Sequence, residues 1–334
     1  MGEQDTAGHL NAMGPNQTVG AQALFGVSSV LARQEYEIAE SRPGFVGRAQ
    51  ELAALDVLAR QRPALGVLSG AGGVGKTALA LHWARTRSPS FPAGVTYVDL
   101  DCVRTGPELG QYRGTITGRR LLILDNVREA AHVRMALPAD PKVMVLAISR
   151  DALPGLAMRD HAHQIPVEPL PMDDAVKLLE AVAGVRMPGF ERLASRCDRL
   201  PLALRIMGSS LTQECEEELS LPAWEFGAED RGVWVALDVA YRGLDPDAAR
   251  VLRILATLAV WSVSISGAAS VCGLSEAEAG RALAILSCRQ LTFVDPFGGK
   301  GYRMHDLVRL YALDRASHLP VAPRFPGTKE KLEV

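Results

Sequence analysis

The sequence predicts an α/β fold: a parallel, doubly wound sheet, followed by a helical bundle and a small module of helices with one hairpin. Three observations support this prediction. Short apolar runs alternate with helical patterns between residues 44 and 171, only helical patterns follow up to residue 288, and two strand-like runs then precede the last helix. The length of 334 residues suggests about two domains of ordinary size.

Composition and charge exclude several classes of protein. With 48% hydrophobic and 22% charged residues, the chain can bury a sizeable core and is not intrinsically disordered. The net charge of −2 provides no global basic field that would hold nucleic acid or anionic lipid. The five cysteines are scattered without a CxxC pair, which argues against a disulfide framework or a cysteine zinc site and favours a reducing cytoplasm.

No targeting or membrane segment is predicted. The first basic residue is Arg33, so the N-terminus lacks the positive region of a secretory signal. Residues 254–274 form an uncharged stretch long enough to span a bilayer, but serine, threonine and glycine residues interrupt it. We therefore expect a helix end, a turn and a second short helix there, in a soluble cytoplasmic protein with no membrane contact.

The sheet is predicted from apolar runs that are typical of strands buried on both faces. Helical patterns lie between the first two runs and over 126–136, and this alternation indicates a parallel sheet. A weaker fifth strand is expected near 163–167. The four stronger runs are 66–69, 95–100, 121–125 and 143–148.

After Pro171 the apolar spacing becomes helical. A first group of helices is predicted over 173–182, 189–197 and 201–211, and an acidic run at 214–218 leads into a loop-like patch. A second group is predicted over 233–243, 246–260, 266–272 and 275–288. Two strand-like runs, 290–294 and 301–304, then precede a helix over 305–317, which suggests a winged-helix module.

The strongest chemical signal is Gly70-Ala71-Gly72-Gly73-Val74-Gly75-Lys76-Thr77, which fits the GxxxxGK[ST] pattern of a P-loop. It follows an apolar strand and opens a helix, which is the context that this motif requires. Glycines let successive backbone N–H groups point at phosphate oxygens, and the helix N-terminus adds partial positive charge. Lys76 is expected to reach the β- and γ-phosphates, and the Thr77 hydroxyl to coordinate Mg²⁺. Backbone contacts are expected from Gly72, Gly73, Val74, Gly75 and Ala78 as well.

A carboxylate at the end of a neighbouring strand would complete such a site. Residues 121–124 are apolar and end in Asp125, which we expect to hold Mg²⁺ through water; the plainer interpretation is a cap of the next helix. Asn126 follows, and because an amide cannot deprotonate water, hydrolysis should be slow. Arg150 ends a third strand and could contact the γ-phosphate, or be a surface cation. The candidate catalytic residues are thus Lys76, Asp125 and Arg150.

Taken in order, further short motifs make the chain resemble the NB-ARC branch of the STAND P-loop ATPases, and within it the ATPase segment of actinomycete antibiotic regulatory proteins. The resemblance covers about residues 44–317. The motifs are Phe45-Val46-Gly47-Arg48, Glu51-Leu52, Ile148-Ser149-Arg150, Leu200-Pro201-Leu202-Ala203-Leu204 and Met304-His305-Asp306. A nucleotide switch that binds ATP or ADP with Mg²⁺ is the function that this resemblance implies.

The resemblance also implies roles for individual residues. Phe45, Val46 and Arg48 would border the adenine, Pro201 would pack on the base or ribose, and His305 would reach the β-phosphate of ADP and lock the winged helix over it. The plainer interpretations are that Pro201 starts a helix and that His305 begins the last one.

The chain departs from the family pattern at three points. Arg199 stands where the family usually has glycine, the connection before residue 121 is short, and neither a DNA-binding module nor TPR repeats are recognisable. We therefore expect either an isolated switch core or a fragment of a larger regulator. Five segments are predicted: 1–42, a flexible tail or helix; 43–171, a P-loop nucleotide-binding domain; 172–231, a helical (ARC-like) domain; 232–318, a winged-helix domain; and 319–334, a C-terminal tail.

The leading functional prediction is an ATP/ADP switch with slow hydrolysis that regulates signalling or transcription through domain rearrangement. Its partners would be an adenine nucleotide and either another protein or further copies of itself in the ATP state. The alternative is a transcriptional regulator that binds DNA through its winged helix, although Glu276 and Glu278 give the candidate recognition helix the wrong sign for direct nucleic acid binding. A fast AAA+-like remodeller is disfavoured by Asn126, and a GTPase by the absence of an NKxD motif.

Overall fold

A computed structural model describes residues 45–100, 116–211, 231–258, 262–294 and 301–317. Several sequence predictions fall outside these ranges. They are the N-terminal tail 1–42, the shortened connection that follows residue 100, the acidic run 214–218 with its loop-like patch, and the C-terminal tail 319–334.

The described chain begins with a five-stranded parallel sheet, as the sequence predicts. The strands are β1 (Ala64–Ser69), β2 (Val95–Asp99), β3 (Leu121–Val127), β4 (Met144–Ser149) and β5 (His163–Pro166). Their spatial order is β2-β3-β4-β1-β5. The expectation that Asp125 lies on a strand next to the P-loop strand is therefore wrong, because β4 separates β3 from β1. The runs of β1, β3 and β4 are similarly apolar, so the sequence carried no signal of which of them pair.

Helices cover both faces of the sheet. Helices α1 (Ala49–Leu58) and α2 (Lys76–Thr86) pack into one hydrophobic cluster, whereas α3 (Ala130–Ala136) and α4 (Pro154–Asp160) pack into a second. Alternate residues of β1 divide between these clusters, with Leu68 in the first and Val67 in the second. This arrangement confirms the doubly wound prediction. Helices α1 and α4 are not among the elements that the sequence predicted.

Within the described ranges, five helices lie between the sheet and the chain's last part. Helices α5 (Met172–Ala183), α6 (Phe190–Arg196) and α7 (Pro201–Ser210) form the first group. Helix α5 packs on α6 and α7, and α7 packs on α8 (Arg231–Arg242). Helix α9 (Pro246–Thr257) follows after a short turn, and the Asp245 side chain accepts a hydrogen bond from the backbone N–H of Ala248 at its start.

The C-terminal part has the element order helix, bridge, helix, helix, hairpin, helix. After α9, residue Val263 forms an isolated antiparallel bridge with Tyr302, and α10 (Ile265–Cys272) and α11 (Glu276–Cys288) follow. Strands β6 (Phe293–Val294) and β7 (Tyr302–Arg303) pair as a hairpin, and α12 (Asp306–Ser317) packs on α8 and α9. Ser275 and Glu278 form a capping box at the start of α11.

The uncharged stretch at 254–274 is divided as the sequence predicted. Helix α9 ends at Thr257 and α10 begins at Ile265. Within the described ranges, no helix combines the length and the apolar character needed to cross a bilayer. The buried side chains of the first cluster run on from the sheet through α7 and α8 to α12, so these modules share one continuous core.

Candidate nucleotide-binding site

The P-loop joins β1 to α2 and has the tight geometry that its glycines permit. Gly70 has a φ of 148°, and a Cβ atom there would lie 2.3 Å from the Val167 carbonyl oxygen, so only glycine fits. Helix α2 begins directly at Lys76, which places its N-terminus at the end of the loop. Gly72 and Val74 are buried within the loop, whereas Ala78 is exposed on the first turn of α2.

The Lys76 ammonium group folds back over the loop. Its Nζ donates to the carbonyl oxygens of Gly70 at 2.7 Å and Ala71 at 2.9 Å. Burial lowers the pKa of Lys76 to about 8, an effect that the nearby Asp125 carboxylate opposes and the Arg150 charge reinforces. A lysine held in this way can exchange weak carbonyl contacts for phosphate oxygens.

The structure brings Thr77 of α2 and Asp125 of β3 together, although β3 does not neighbour the P-loop strand β1. The Thr77 hydroxyl donates to Asp125 Oδ2 at 2.8 Å, and the Asp125 side chain lies at the carboxyl end of β3 with 3% of its surface exposed. Burial raises the pKa of Asp125, while hydrogen bonds from Tyr97, Thr77 and the Asn126 backbone counteract this rise. One hydroxyl and one carboxylate oxygen are hard ligands of the kind that Mg²⁺ prefers.

Tyr97 is a member of the site that sequence reasoning missed. Its hydroxyl donates to the same Oδ2 of Asp125 at 2.6 Å, from β2. Desolvation, together with the adjacent carboxylates, raises the pKa of Tyr97 well above its ordinary value, so the hydroxyl keeps its proton. The only signal in the sequence is a tyrosine within a predicted buried strand, two residues before Asp99.

Asn126 and Asp99 form a second pair beside Asp125. A β-bulge interrupts the β3–β4 register between Leu124 and Val127, and Asn126 has a left-handed φ of 57°. The Asn126 Nδ2 donates to Asp99 Oδ1 at 2.9 Å. Asp99 is buried at the end of β2 and also forms an ion pair of 3.7 Å with Arg303 of the hairpin. Sequence reasoning assigned no role to Asp99 or Arg303.

Arg150 follows the last residue of β4 and is exposed. Its charge lowers the pKa of Lys76, which places Arg150 within electrostatic range of the P-loop. The position is therefore compatible with either predicted role, and contact with a γ-phosphate stays a prediction.

The segment before α1 also contacts the P-loop. Arg48 is buried and donates to Val74 O at 2.8 Å, Glu168 O at 2.6 Å and Glu51 Oε1 at 2.8 Å. The Phe45 ring stacks on the imidazole of His82 in α2, with centroids 3.9 Å apart, and Val46 packs on the core. Arg48 thus supports the loop itself, and the predicted contacts of Phe45, Val46 and Arg48 with adenine stay predictions.

Pro201 stands at the P-loop, on the first turn of α7. The backbone N–H of Leu202 donates to Gly73 O at 3.2 Å, and a Cβ atom at Gly75 would lie 3.7 Å from Pro201 Cγ. Arg199, two residues before Pro201, has a left-handed φ of 54°, a conformation that glycine adopts with least strain. The arginine that stands where the resemblance leads one to expect glycine thus lies in a strained turn.

His305 lies at the start of α12, directly before Asp306. Its Nδ1 accepts a hydrogen bond from the Leu307 backbone N–H at 3.3 Å, which fits the plainer interpretation of a helix-starting residue. Its predicted contact with the β-phosphate of ADP is a separate matter and stays a prediction.

Comparisons with known proteins concern the sequence and the fold of the chain. No protein-family model matches the chain. Regulatory protein AfsR is 32% identical to it in Streptomyces griseus and 31% in Streptomyces coelicolor; these alignments cover 75% of this chain but only 30% and 29% of those proteins. A signal transduction ATPase with numerous domains (STAND) that carries a tetratricopeptide repeat sensor, from Pyrococcus horikoshii, shares the fold with a TM-score of 0.58 at 17% identity, over 86% of this chain and 45% of its own. The chain therefore resembles STAND P-loop ATPases in fold and AfsR in sequence, and spans less than a third of the AfsR length.

Proposed function

We propose that this chain binds ATP and ADP with Mg²⁺ and acts as a nucleotide-dependent switch in a larger regulatory system. The observation that carries the proposal is the meeting of Lys76, Thr77 and Asp125 at the end of the P-loop, with Thr77 and Asp125 joined at 2.8 Å. Lys76 would neutralise phosphate charge, the loop amides would bind phosphate oxygens, and Thr77 with Asp125 would hold Mg²⁺. When bound, Mg²⁺ supplies charge stabilisation to the phosphates.

The same geometry favours slow hydrolysis. Asn126 occupies the position beside Asp125, and its amide nitrogen is committed to Asp99 at 2.9 Å. An amide oxygen can orient a water molecule but does not take its proton. A steady-state ATPase assay tests this part of the proposal, since many turnovers per second would contradict it and would favour a remodelling ATPase.

The switch is proposed to act through the modules that follow the sheet. We infer an NB-ARC-like arrangement of a helical bundle (172–231) and a winged helix (232–318), because helix α9, a bridge at Val263, two further helices and a hairpin follow one another in the order of a winged helix. Leu202 of α7 contacts Gly73 of the P-loop, so the bundle can respond to what the loop holds. A nucleotide would shift the module arrangement only by binding one arrangement better than the other.

The first test is to identify the nucleotide that copurifies with the protein. After denaturation, chromatography should find ADP at close to one equivalent. Lys76→Ala should abolish nucleotide binding, whereas Lys142→Ala, which changes an exposed lysine elsewhere in the P-loop module, should bind like the wild type. Nucleotide affinity of the two variants, measured by isothermal titration calorimetry, checks both expectations, and equal affinities would refute the assignment of Lys76.

A second candidate function is DNA binding through the winged helix. The element order of the C-terminal part and the similarity to proteins named as regulatory favour it. Glu276 and Glu278 in the first turn of α11 oppose it, while Arg281 on the same helix is exposed. A gel-shift assay at low salt distinguishes the two: a shift that Arg281→Glu removes would support DNA binding by this chain.

A further inference from the structure

The hairpin of the C-terminal part touches the nucleotide-binding module at a buried ion pair. Arg303 in β7 lies with its Nη2 atom 3.7 Å from Asp99 Oδ2 at the end of β2. The two side chains are only 12% and 5% exposed. In so poorly solvated a pair each charge is stabilised by the opposite charge beside it, and removing either partner takes that stabilisation from the other.

The hairpin itself orients Arg303. Phe293 of β6 pairs directly with Arg303 across the two strands, and the guanidinium lies 5.7 Å from the centre of the Phe293 ring. Strand β7 is also bridged to Val263, which lies between α9 and α10. Arg303 is therefore expected to move together with the whole C-terminal module.

Asp99 connects this contact to the predicted Mg²⁺ site. One of its oxygens faces Arg303, and the other accepts the hydrogen bond from Asn126 Nδ2 at 2.9 Å. Asp99 lies directly opposite Asp125 in the register of β2 and β3, and Tyr97 on the same strand donates to Asp125 at 2.6 Å. A displacement of Asp99 and Tyr97 at the end of β2 would thus affect the contacts that these residues make with Asn126 and Asp125.

We propose that Arg303 and Asp99 form an interdomain latch that couples the position of the C-terminal module to the orientation of Asn126 and Asp125. The nucleotide dependence of this latch rests on the proposed function, whereas the contact between Arg303 and Asp99 is independent of it. With the hairpin docked, Asp99 is compensated by Arg303 and holds the Asn126 amide in one orientation. When the module moves away, Asp99 loses this neighbouring cation, and its carboxylate can turn relative to the Asn126 amide. Nucleotide binding at the phosphate site then changes the equilibrium of hairpin docking, and hairpin docking changes nucleotide affinity by the same factor.

The test is a double-mutant cycle with Arg303→Gln, Asp99→Asn and the combined variant. Two matched exposed positions, Arg159→Gln and Asp247→Asn, serve as controls. Each single latch variant should release a fluorescent ADP analogue faster by about fivefold or more, and the double variant no faster than the single variants. Independent effects that multiply in the double variant would overturn the proposal, as would single variants that release the analogue like the controls.

Hydrogen–deuterium exchange of the hairpin provides a second readout that needs no nucleotide. Peptides that contain residues 301–305 should exchange faster in Arg303→Gln and Asp99→Asn than in the controls. Circular dichroism spectra that match the wild type confirm that each variant is folded. If the wild type binds no nucleotide, the proposed function fails, while faster exchange still supports the latch; unchanged exchange in a folded variant refutes the latch whatever the nucleotide result.

Discussion

At the scale of single residues, the Asp125 carboxylate is the most constrained group of the site. Its Oδ2 accepts from two hydroxyls, those of Thr77 and Tyr97, and its Oδ1 accepts from the Asn126 backbone. Three donors around a buried carboxylate stabilise its ionised form and fix its direction. A Mg²⁺ ion would therefore meet a preorganised oxygen rather than a side chain that must first be ordered.

The Tyr97 hydroxyl should be the donor whose loss is easiest to measure. We expect Tyr97→Phe to weaken the Mg²⁺-dependent part of ATP binding by about tenfold, since a hydrogen bond to a charged group contributes about 1.5 kcal/mol or more. Titration of ATP binding with and without EDTA checks this, because binding without Mg²⁺ should be unchanged. Tyr241→Phe is the control, as it also loses a tyrosine hydroxyl that is hydrogen bonded, there to Arg253. Equal losses with and without Mg²⁺ would mean that Tyr97 acts only on the loop.

The sequence identified some of these residues and could not identify others, for a physical reason. Lys76 and Thr77 belong to one contiguous motif, and Asp125 ends a conspicuous apolar run, so their types and spacing were sufficient. Tyr97, Asp99 and Arg303 act through contacts across strands and between modules. Such contacts depend on register and docking, which the spacing of residues along the chain does not encode.

At the scale of elements, Arg48 joins three segments that are remote in sequence. Its guanidinium bridges the start of α1, the P-loop at Val74 and the chain after β5 at Glu168. The planar fork of arginine can serve all three acceptors at once, whereas the ammonium of lysine cannot reach them with the same geometry. The conformation of the P-loop thus depends on a residue twenty-odd positions before it.

Replacing Arg48 by lysine should therefore destabilise the sheet module. We expect Arg48→Lys to lower the free energy of unfolding by about 1–3 kcal/mol, because the buried Val74 carbonyl loses its donor. Urea unfolding measures the change, and Arg159→Lys, at an exposed position of α4, should differ from the wild type by less than about 0.5 kcal/mol. A loss of nucleotide affinity without any loss of stability would instead favour a direct contact of Arg48 with the ligand.

The elements themselves were largely predictable, whereas their arrangement was not. The apolar runs and helical spacing located all five strands of the sheet and every helix of the later modules to within a few residues. Helix α1 lacks a clear apolar stripe in the sequence, and α4 has only seven residues, so neither produced a periodic pattern. The insertion of β4 between β1 and β3 is a property of chain crossovers, for which similarly apolar strands give no local signal.

At the scale of the whole molecule, apolar and polar contacts between modules have different roles. One core cluster contains Leu79 of α2, Leu204 of α7 and Val308 of α12, so the modules are held together by a shared apolar interior. Two polar contacts between modules lie near the phosphate site, at Gly73 with Leu202 and at Asp99 with Arg303. A nucleotide can therefore bias the arrangement through a few polar contacts, while the apolar core limits how far the modules separate.

The last prediction concerns His305 and the retention of ADP. Two residues of chain span at most about 7 Å, so His305 lies close to Arg303, which is docked on the nucleotide-binding module. If His305 stabilises the ADP-bound arrangement, His305→Ala should speed ADP release by about tenfold and change the release of Mg²⁺-bound ATP much less, because the contact belongs to one state only. Stopped-flow release of fluorescent analogues measures both rates.

Two further variants separate this role from the hydrogen bond that His305 makes at the start of α12. His305→Asn keeps an acceptor for the Leu307 backbone N–H, so it should retain the thermal stability of α12 and yet release ADP as fast as His305→Ala. His163→Ala, at an exposed position of β5, controls for the loss of an imidazole elsewhere in the chain. Should His305→Asn hold ADP like the wild type while His305→Ala does not, the effect would come from the helix cap, and the imidazole would have no part in locking the nucleotide.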